Sequence, residues 1–223
     1  KIDYDNNKYV ANGITVLEGE PITINGSTGE VYIGNLPTVE PQVTKDFQTI
    51  LSWAQSKKKL GVRANADTPD AAKLARKFGA QGIGLCRTER MFNATDRIGL
   101  FIDMIMAVNV KQRKEVLKKL GQLQKSDFIQ ILKAMEGYKV TIRLLDPPLH
   151  EFLPNPEDLM DKIYKNKNSE DLTETKKVLE RAKELSEINP MMGHRGVRIG
   201  ITYPEIYRMQ ITAVFEATVD LVK

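Results

Sequence analysis

The sequence of 223 residues has little cysteine and little histidine: Cys86 is the only cysteine, and there are two histidines. A single cysteine excludes an internal disulfide framework and favours a reducing compartment. No Cys or His pair has the spacing of metal ligands. We therefore expect no metal site built by this chain alone.

Long apolar runs are also missing. None approaches the roughly 18 residues of a membrane span, and the N-terminal KIDYDNN does not resemble a signal peptide. We expect a soluble protein with no membrane partner, located in the cytoplasm. An organellar location stays open, because a targeting segment of a longer protein would lie upstream of Lys1.

The composition is that of a globular protein. Hydrophobic residues make up 41% of the chain, which is enough to bury a core in one or two domains. The net charge of +4 and the pI near 9.0 favour anionic partners. The lysines are spread along polar helix faces and do not form one block, so a nucleic-acid partner is not expected.

The N-terminal part predicts a small β segment. Residues 8 to 34 contain short β-like runs with Asn-Gly and other glycine-containing turns, which we interpret as about three strands. Strands this few and short cannot bury a core of their own. We therefore assign residues 1–36 to the end of a larger domain, and the proline-containing residues 37–47 to a linker.

From residue 48 onward, helical patterns alternate with short apolar runs. This alternation predicts parallel strands joined by helical crossovers, in a (β/α)8 barrel or an open doubly wound sheet. No glycine-rich dinucleotide fingerprint or phosphate loop supports the open sheet. The predicted strands are LGVRANAD, GIGLCRTE and KVTIRLLD. The predicted helices lie near residues 47–58, 68–79, 95–119, 126–136 and 172–188 and from 204 onward, with Thr68 as an N-cap, Pro69 at the first helical position and Gly79 as a stop.

Two arginines stand where a buried strand would not normally tolerate charge. Arg87 follows the apolar run GIGLC, and Arg143 lies within VTIRLL. An unpaired buried cation costs several kcal/mol or more, so each needs a partner or an anion. In a barrel the carboxyl ends of the strands converge, which would place both arginines and Asp146 around one anion. The alternative is a salt bridge, from Arg87 to Glu89 or to a neighbouring strand.

Further polar residues accompany the predicted strands. Arg63, Asn65 and Asp67 alternate and would share one face of the first strand. For Arg63 we favour a structural ion pair with Asp67 or Asp146. Alternatively, Asp146 orients Arg143.

For the two histidines and the cysteine, we favour structural roles over functional ones. His150 follows two prolines, and we favour loop packing over contact with a substrate or a protein partner. His194 lies between glycines beside Arg195, where packing is favoured over an anion nest. Cys86 should point away from Arg87 and act as a small buried hydrophobe, not as a nucleophile.

Five segments resemble consecutive parts of the pyruvate phosphate dikinase family. They are GSTGEVYIG, VRANADTPDAA, GIGLCRTERMF, TIRLLDPPLHEFLP and NPMMGHRGVRIGITYPEIY. GLCRTE alone would also fit phosphoenolpyruvate synthase or the phosphotransferase enzyme I, whereas DPPLHEF favours the dikinase branch.

The resemblance implies a large enzyme in which a swivelling phosphohistidine domain carries phosphate from an ATP-grasp domain to a barrel that binds pyruvate. Residues 1–36 would end the phosphohistidine domain, and residues 48–223 would form the first part of an incomplete TIM-type barrel. Arg87 and Arg143 match the family arginines that hold phosphoenolpyruvate (PEP). Arg63, Asn65, Asp146, His150 and His194 are candidate second-layer residues around them.

The resemblance also limits what this chain is expected to do. The family's phosphohistidine motif, magnesium-binding carboxylates and late cysteine have no counterpart here, so we expect no turnover by the chain alone, although the whole enzyme uses magnesium and is expected to be a homodimer. An unfinished barrel would expose apolar surface and favour association. The alternative is a noncatalytic module that binds an anion or a partner. A proteolytic piece without a separate role is compatible with the first interpretation, a fragment of the dikinase.

Overall fold

The computed structural model describes residues 2–39, 44–92, 97–165 and 172–222. The chain divides into two compact units, Lys1–Lys58 and Lys59–Lys223. Part of the predicted linker, residues 40–43, and the start of the predicted helix at 95 and 96 lie outside the described residues. None of the described helices combines the length and the apolar character that crossing a lipid bilayer requires.

The described residues of the first unit form five short strands and one helix. Strands β1 (Ile2–Asp3), β2 (Lys8–Ala11) and β3 (Ile14–Leu17) form an antiparallel meander, and β4 (Ile22–Asn25) pairs with β5 (Glu30–Ile33) in a hairpin. The prediction of about three strands was too low, because the run YVANGITVL contains a turn. Asn12 and Gly13, with φ angles of 51° and 78°, form that turn between β2 and β3.

Helix α1 (Lys45–Lys57) confirms the helix predicted after the β segment. The Thr44 hydroxyl accepts a hydrogen bond from the Phe47 amide at 3.2 Å, which satisfies one of the free N–H groups of the first turn. No residue of α1 is buried.

The second unit is a mixed α/β structure in which helices alternate with parallel strands, as the sequence predicted. Strand β7 (Gly82–Arg87) lies between β6 (Ala64–Asn65) and β8 (Lys139–Arg143), and both pairings are parallel. The elements are β6 (Ala64–Asn65), α2 (Pro69–Lys77), β7 (Gly82–Arg87), α3 (Ile98–Met106), α4 (Val110–Ala134), β8 (Lys139–Arg143), α5 (Pro156–Lys165), α6 (Thr173–Leu185), α7 (Val197–Thr202) and α8 (Pro204–Val222), with short 3-10 helices at Thr88–Phe92 and Leu149–Phe152.

Local signals account for most of these boundaries. The Thr68 hydroxyl caps α2 by accepting from the Ala71 amide, and Gly79 adopts a φ of +85° just after the helix, as predicted. The predicted break between residues 119 and 126 is wrong. Helix α4 runs without interruption through Gly121, and the chain breaks earlier, where Asn109 caps α4.

The core of the second unit holds the carboxyl ends of β7 and β8 in place. Ile83 and Cys86 of β7 are fully buried in a cluster with Phe128 of α4. A second cluster contains Phe101, whose ring lies 4.6 Å from that of Phe92 and 4.4 Å from that of Phe152. The segments that follow β7 and β8 are therefore packed into the core, not free in solvent.

Candidate functional site

The two arginines singled out in the sequence lie side by side. Arg87 is the last residue of β7, Arg143 is the last residue of β8, and the two are register partners on these parallel strands. Side chains at paired positions of parallel strands project from the same face of the sheet. Cys86, the preceding residue, is buried in the core on the other face, so both arginines project away from it.

Asp67 holds Arg87 in one orientation. Its carboxylate accepts hydrogen bonds from the Arg87 backbone amide at 2.7 Å, from Nη2 at 2.6 Å and from Nε at 3.0 Å. Arg90 Nε lies 3.7 Å from the same carboxylate. A salt bridge to Glu89 or to a neighbouring strand was the alternative considered for Arg87. The observed partner, Asp67, follows the neighbouring strand β6.

The Asp67–Arg87 contact also affects the Asp67 carboxyl group. Burial alone would raise its pKa, but the hydrogen bonds and positive charge of Arg87, with Arg90 adding to them, lower the pKa below its ordinary value of 3.8. Because the folded-state pKa is depressed, the stabilisation is present above pH 3.8 and is lost as the pH falls through the folded-state value.

Arg143 contacts two carboxylates. Its Nη2 donates to Glu89 Oε1, and its Nη1 lies 3.2 Å from Asp146 Oδ2. Glu89 is only 8% exposed. Among the described residues, Glu89 Oε2 and Arg143 Nε are buried without a hydrogen-bond partner. Buried polar atoms are rarely left unpaired in folded proteins, so the Glu89–Arg143 contact leaves hydrogen-bonding capacity unused.

Asp146 contacts a second arginine, Arg195, in addition to Arg143. Arg195 donates from Nη2 to Asp146 Oδ2, and its Nε lies 3.4 Å from Oδ1. The sequence had placed Arg195 only beside His194, in a turn. The neighbouring Gly196 amide donates to the Asp146 carbonyl at 2.9 Å.

Gly196 is required for this close approach. Its φ of +55° is in the left-handed region, and a Cβ there would lie 3.2 Å from Asp146 Oδ1. We define the arginine cluster as Arg87, Arg143 and Arg195 with their carboxylate partners Asp67, Glu89 and Asp146.

Arg63 is not in the arginine cluster, and the ion pair predicted for it is wrong. Within the described ranges, the carboxylates of Asp67 and Asp146 pair with other arginines. Arg63 is exposed, and its side chain lies against β7, where a Cβ on Gly82 or Gly84 would be 3.4 or 3.3 Å away. Asn65 is exposed in β6, and no side-chain hydrogen bond fixes it among the described residues.

The two histidines have different surroundings. His194 contacts residues outside the arginine cluster: its amide donates to Glu187 Oε1 at 2.7 Å, and its Nε2 lies 2.6 Å from Thr202 Oγ1. His150 lies in the 3-10 helix Leu149–Phe152, and its Nδ1 is buried without a hydrogen-bond partner among the described residues. A role of His150 at the site stays a prediction.

Gln210 of α8 is a residue that sequence reasoning missed. It is fully buried behind the strand ends, where its Oε1 accepts from the Leu145 amide at 2.8 Å and its Nε2 donates to Thr88 Oγ1 at 3.0 Å. Thr88 Oγ1 in turn donates to the Arg143 carbonyl at 3.0 Å. A glutamine on an amphipathic helix gives no signal in the sequence that it bridges two strand ends.

Cys86 is expected to be unreactive in the folded protein. It is fully buried, and burial together with nearby carboxylates raises the pKa of its thiol to about 12. Because only the thiolate is nucleophilic, we predict negligible alkylation by iodoacetamide at pH 8 and rapid, stoichiometric alkylation in denaturant. Mass spectrometry measures both, and rapid labelling of the folded chain would contradict the buried placement of β7.

Comparison with known proteins gives a consistent result. The PEP-binding domain of PEP-utilising enzymes matches residues 41–222. The chain is 56% identical to a pyruvate, phosphate dikinase of Entamoeba histolytica over 94% of its length, and 49% identical to one of Giardia intestinalis over 97%. A chloroplastic pyruvate, phosphate dikinase of Arabidopsis thaliana is 49% identical over 99% of the chain. The chain spans about a quarter of the length of these relatives, 24%, 24% and 23% respectively.

Proposed function

The chain belongs to the family of PEP-utilising enzymes, through their PEP-binding domain, and we propose that its arginine cluster binds PEP as part of a pyruvate, phosphate dikinase. The reaction proposed for the whole enzyme interconverts ATP, phosphate and pyruvate with AMP, pyrophosphate and PEP through a phosphohistidine. The relatives in Entamoeba histolytica, Giardia intestinalis and Arabidopsis thaliana carry that name.

The observation that carries the proposal is the register pairing of Arg87 with Arg143 at the carboxyl ends of β7 and β8. PEP carries a phosphate and a carboxylate close together, and a guanidinium can bind either group through two parallel hydrogen bonds. Arg87 is held by Asp67 through Nε and Nη2, which leaves its Nη1 for a ligand. Arg143, on the neighbouring strand, supplies a second guanidinium beside Arg87.

In the proposed mechanism, the arginines stabilise charge on the phosphoryl group as it moves to or from the enolate oxygen of pyruvate. Hydrogen-bond donors that are fixed before the reaction need no reorganisation during it. The role of the carboxylate partners is to fix these donors. Asp67 and Asp146 position the guanidinium groups of Arg87, Arg143 and Arg195. Arg87 is charged at any working pH, and the hydrogen bonds that it donates to Asp67 raise its pKa further.

The site fits a barrel in which β6, β7 and β8 are consecutive strands. In such barrels the carboxyl ends of the strands carry the active site, which is where Arg87 and Arg143 lie. We propose that residues 48–223 form the first part of this TIM-type barrel, that residues 37–47 are a linker, and that residues 1–36 end a swivelling phosphohistidine domain.

Turnover would require groups that we do not assign to this chain, so the chain alone is expected to bind PEP without completing the reaction. Magnesium is proposed for the whole enzyme. Within the part of the chain that the structure describes, no group of three or more His, Cys, Asp or Glu is placed to hold an ion, so we assign no magnesium ligand to these residues. We therefore assign no step to magnesium here. For the whole enzyme we propose a cytoplasmic or organellar homodimer.

The test is calorimetric titration of the chain with PEP, with and without magnesium. We expect Arg87→Gln and Arg143→Gln each to weaken binding by about 10-fold to 100-fold, because a hydrogen bond to a charged group contributes about 1.5–3 kcal/mol. Arg198→Gln is the matched control, since this nearby arginine is exposed and donates to the carbonyl of Met192.

The titration separates the proposal from general attraction between a basic protein and an anion. Equal weakening by Arg198→Gln would indicate non-specific attraction and contradict the assigned roles. Failure of the unsubstituted chain to bind PEP under either condition would contradict a PEP site within these residues. Thermal unfolding of each variant verifies that folding is retained.

A further inference from the structure

A second candidate binding site lies in a groove between α4 and α8. The groove encloses about 420 Å³, a volume within the range of small-molecule sites. Its apolar floor consists of Leu117 and Gly121 from α4 and Met209 and Ala213 from α8. None of the residues of the arginine cluster lines it.

A glycine allows close contact between the two helices at the floor of the groove. A Cβ on Gly121 would lie 3.0 Å from Met209 Cγ, so the absence of a side chain at position 121 lets Met209 extend across the floor. Gly121 lies in the middle of α4, where glycine costs about 1 kcal/mol relative to alanine. This close contact with α8 accounts for a glycine inside a continuous helix.

The rim of the groove is basic. Lys114, Lys118 and Arg208 line it, and Lys111 extends the row of cations along α4 into the adjoining hollow. Among the described residues, no carboxylate lies within ion-pair distance of these four cations. The acidic groups of the groove already have partners: Glu205 pairs with Arg113, and Glu216 pairs with Lys125.

We propose that the α4–α8 groove binds a small amphiphilic anion, with an aromatic or apolar body on the floor and a phosphate at the Lys114, Lys118 and Arg208 rim. The floor removes apolar surface from water, and the rim contributes cations that form no ion pair among the described residues. A purely inorganic anion would use only the rim, and a neutral aromatic molecule only the floor. The site is therefore expected to prefer ligands that carry both an apolar body and a phosphate.

The test uses 1-naphthyl phosphate as the probe and amide NMR of the isotope-labelled full chain as the readout. We expect saturable shifts confined to amides of α4 and α8 around the groove. Inorganic phosphate and 1-naphthol are expected to bind at least about 10-fold more weakly than the probe, because each uses one half of the site. The absence of saturable shifts, or their location outside α4 and α8, would overturn the proposal.

Substitutions at the rim test the charge requirement. The double variant Lys118→Glu with Arg208→Glu is expected to weaken probe binding about 10-fold or more. Lys119→Glu is the matched control, because Lys119 is exposed on the same helix but does not line the groove. Unchanged affinity in the double variant, or equal loss in the control, would overturn the proposal. If the double reversal disturbs folding, Lys118→Gln with Arg208→Gln supplies the same comparison.

Discussion

The substitution Glu205→Ala is expected to lower the free energy of unfolding by about 3–5 kcal/mol, because it leaves a buried arginine without its counter-charge. Arg113 Nη1 donates to Glu205 Oε1 at 2.7 Å, and both side chains are 8% exposed. Arg113 also donates to the Ala107 carbonyl at 3.1 Å and lies over the Tyr203 ring. These contacts fix Arg113, so its charge cannot turn out to solvent when Glu205 is removed.

Urea unfolding followed by circular dichroism measures this effect, and Glu184→Ala is the matched control. Glu184 also pairs with an arginine, Arg181, at 2.6 Å, but it is 66% exposed. Exposed pairs contribute about 0–1 kcal/mol, so the control is expected to change stability by no more than that. An equal effect of the two substitutions would contradict the burial of the Arg113–Glu205 pair.

Replacement of both partners is expected to restore most of the lost stability. In Arg113→Met with Glu205→Leu no buried charge remains, and apolar groups of similar size can replace a buried ion pair at little cost. Recovery would assign the Glu205→Ala effect to the uncompensated Arg113 charge. A double variant less stable than Glu205→Ala would instead assign the effect to lost packing.

The order of elements in the second unit was predictable because each signal is local. Thr68 and Pro69 start α2, and Gly79 ends it, whatever the rest of the chain does. The prediction of a break between residues 119 and 126 was wrong, because the contact that accommodates Gly121 in the helix is with a residue distant in the sequence. Gly121 continues α4 while facing Met209, far along the chain on α8.

The arginines of the candidate site were predictable for a similar reason. A charge inside an apolar strand is visible in the sequence, and this alone singled out Arg87 and Arg143. Their partners were not all predictable, because partners depend on strand register and on the loops beyond the strands. Asp67 contacts Arg87 instead of Arg63, and Glu89 contacts Arg143 instead of Arg87.

Gln210→Leu is expected to lower the free energy of unfolding by about 2–6 kcal/mol. Leucine has nearly the same volume, but the Leu145 amide loses its acceptor, and Gln124 Oε1 loses the donor that lies 3.3 Å away. Each buried group left unsatisfied costs about 1–3 kcal/mol. Gln130→Leu is the matched control, because Gln130 is exposed on α4. The control is expected to change stability by no more than about 0.5 kcal/mol.

The same substitution tests whether α8 positions the arginine cluster. Gln210 contacts Thr88, which follows Arg87, and Leu145, which precedes Asp146. At a temperature where the variant remains folded, we expect calorimetry to show weaker PEP binding by Gln210→Leu and unchanged binding by Gln130→Leu. Unchanged PEP affinity in a destabilised Gln210→Leu variant would contradict the positioning role. Gln210 would then stabilise the fold without orienting the arginines, because loss of its hydrogen bonds would have left their geometry intact.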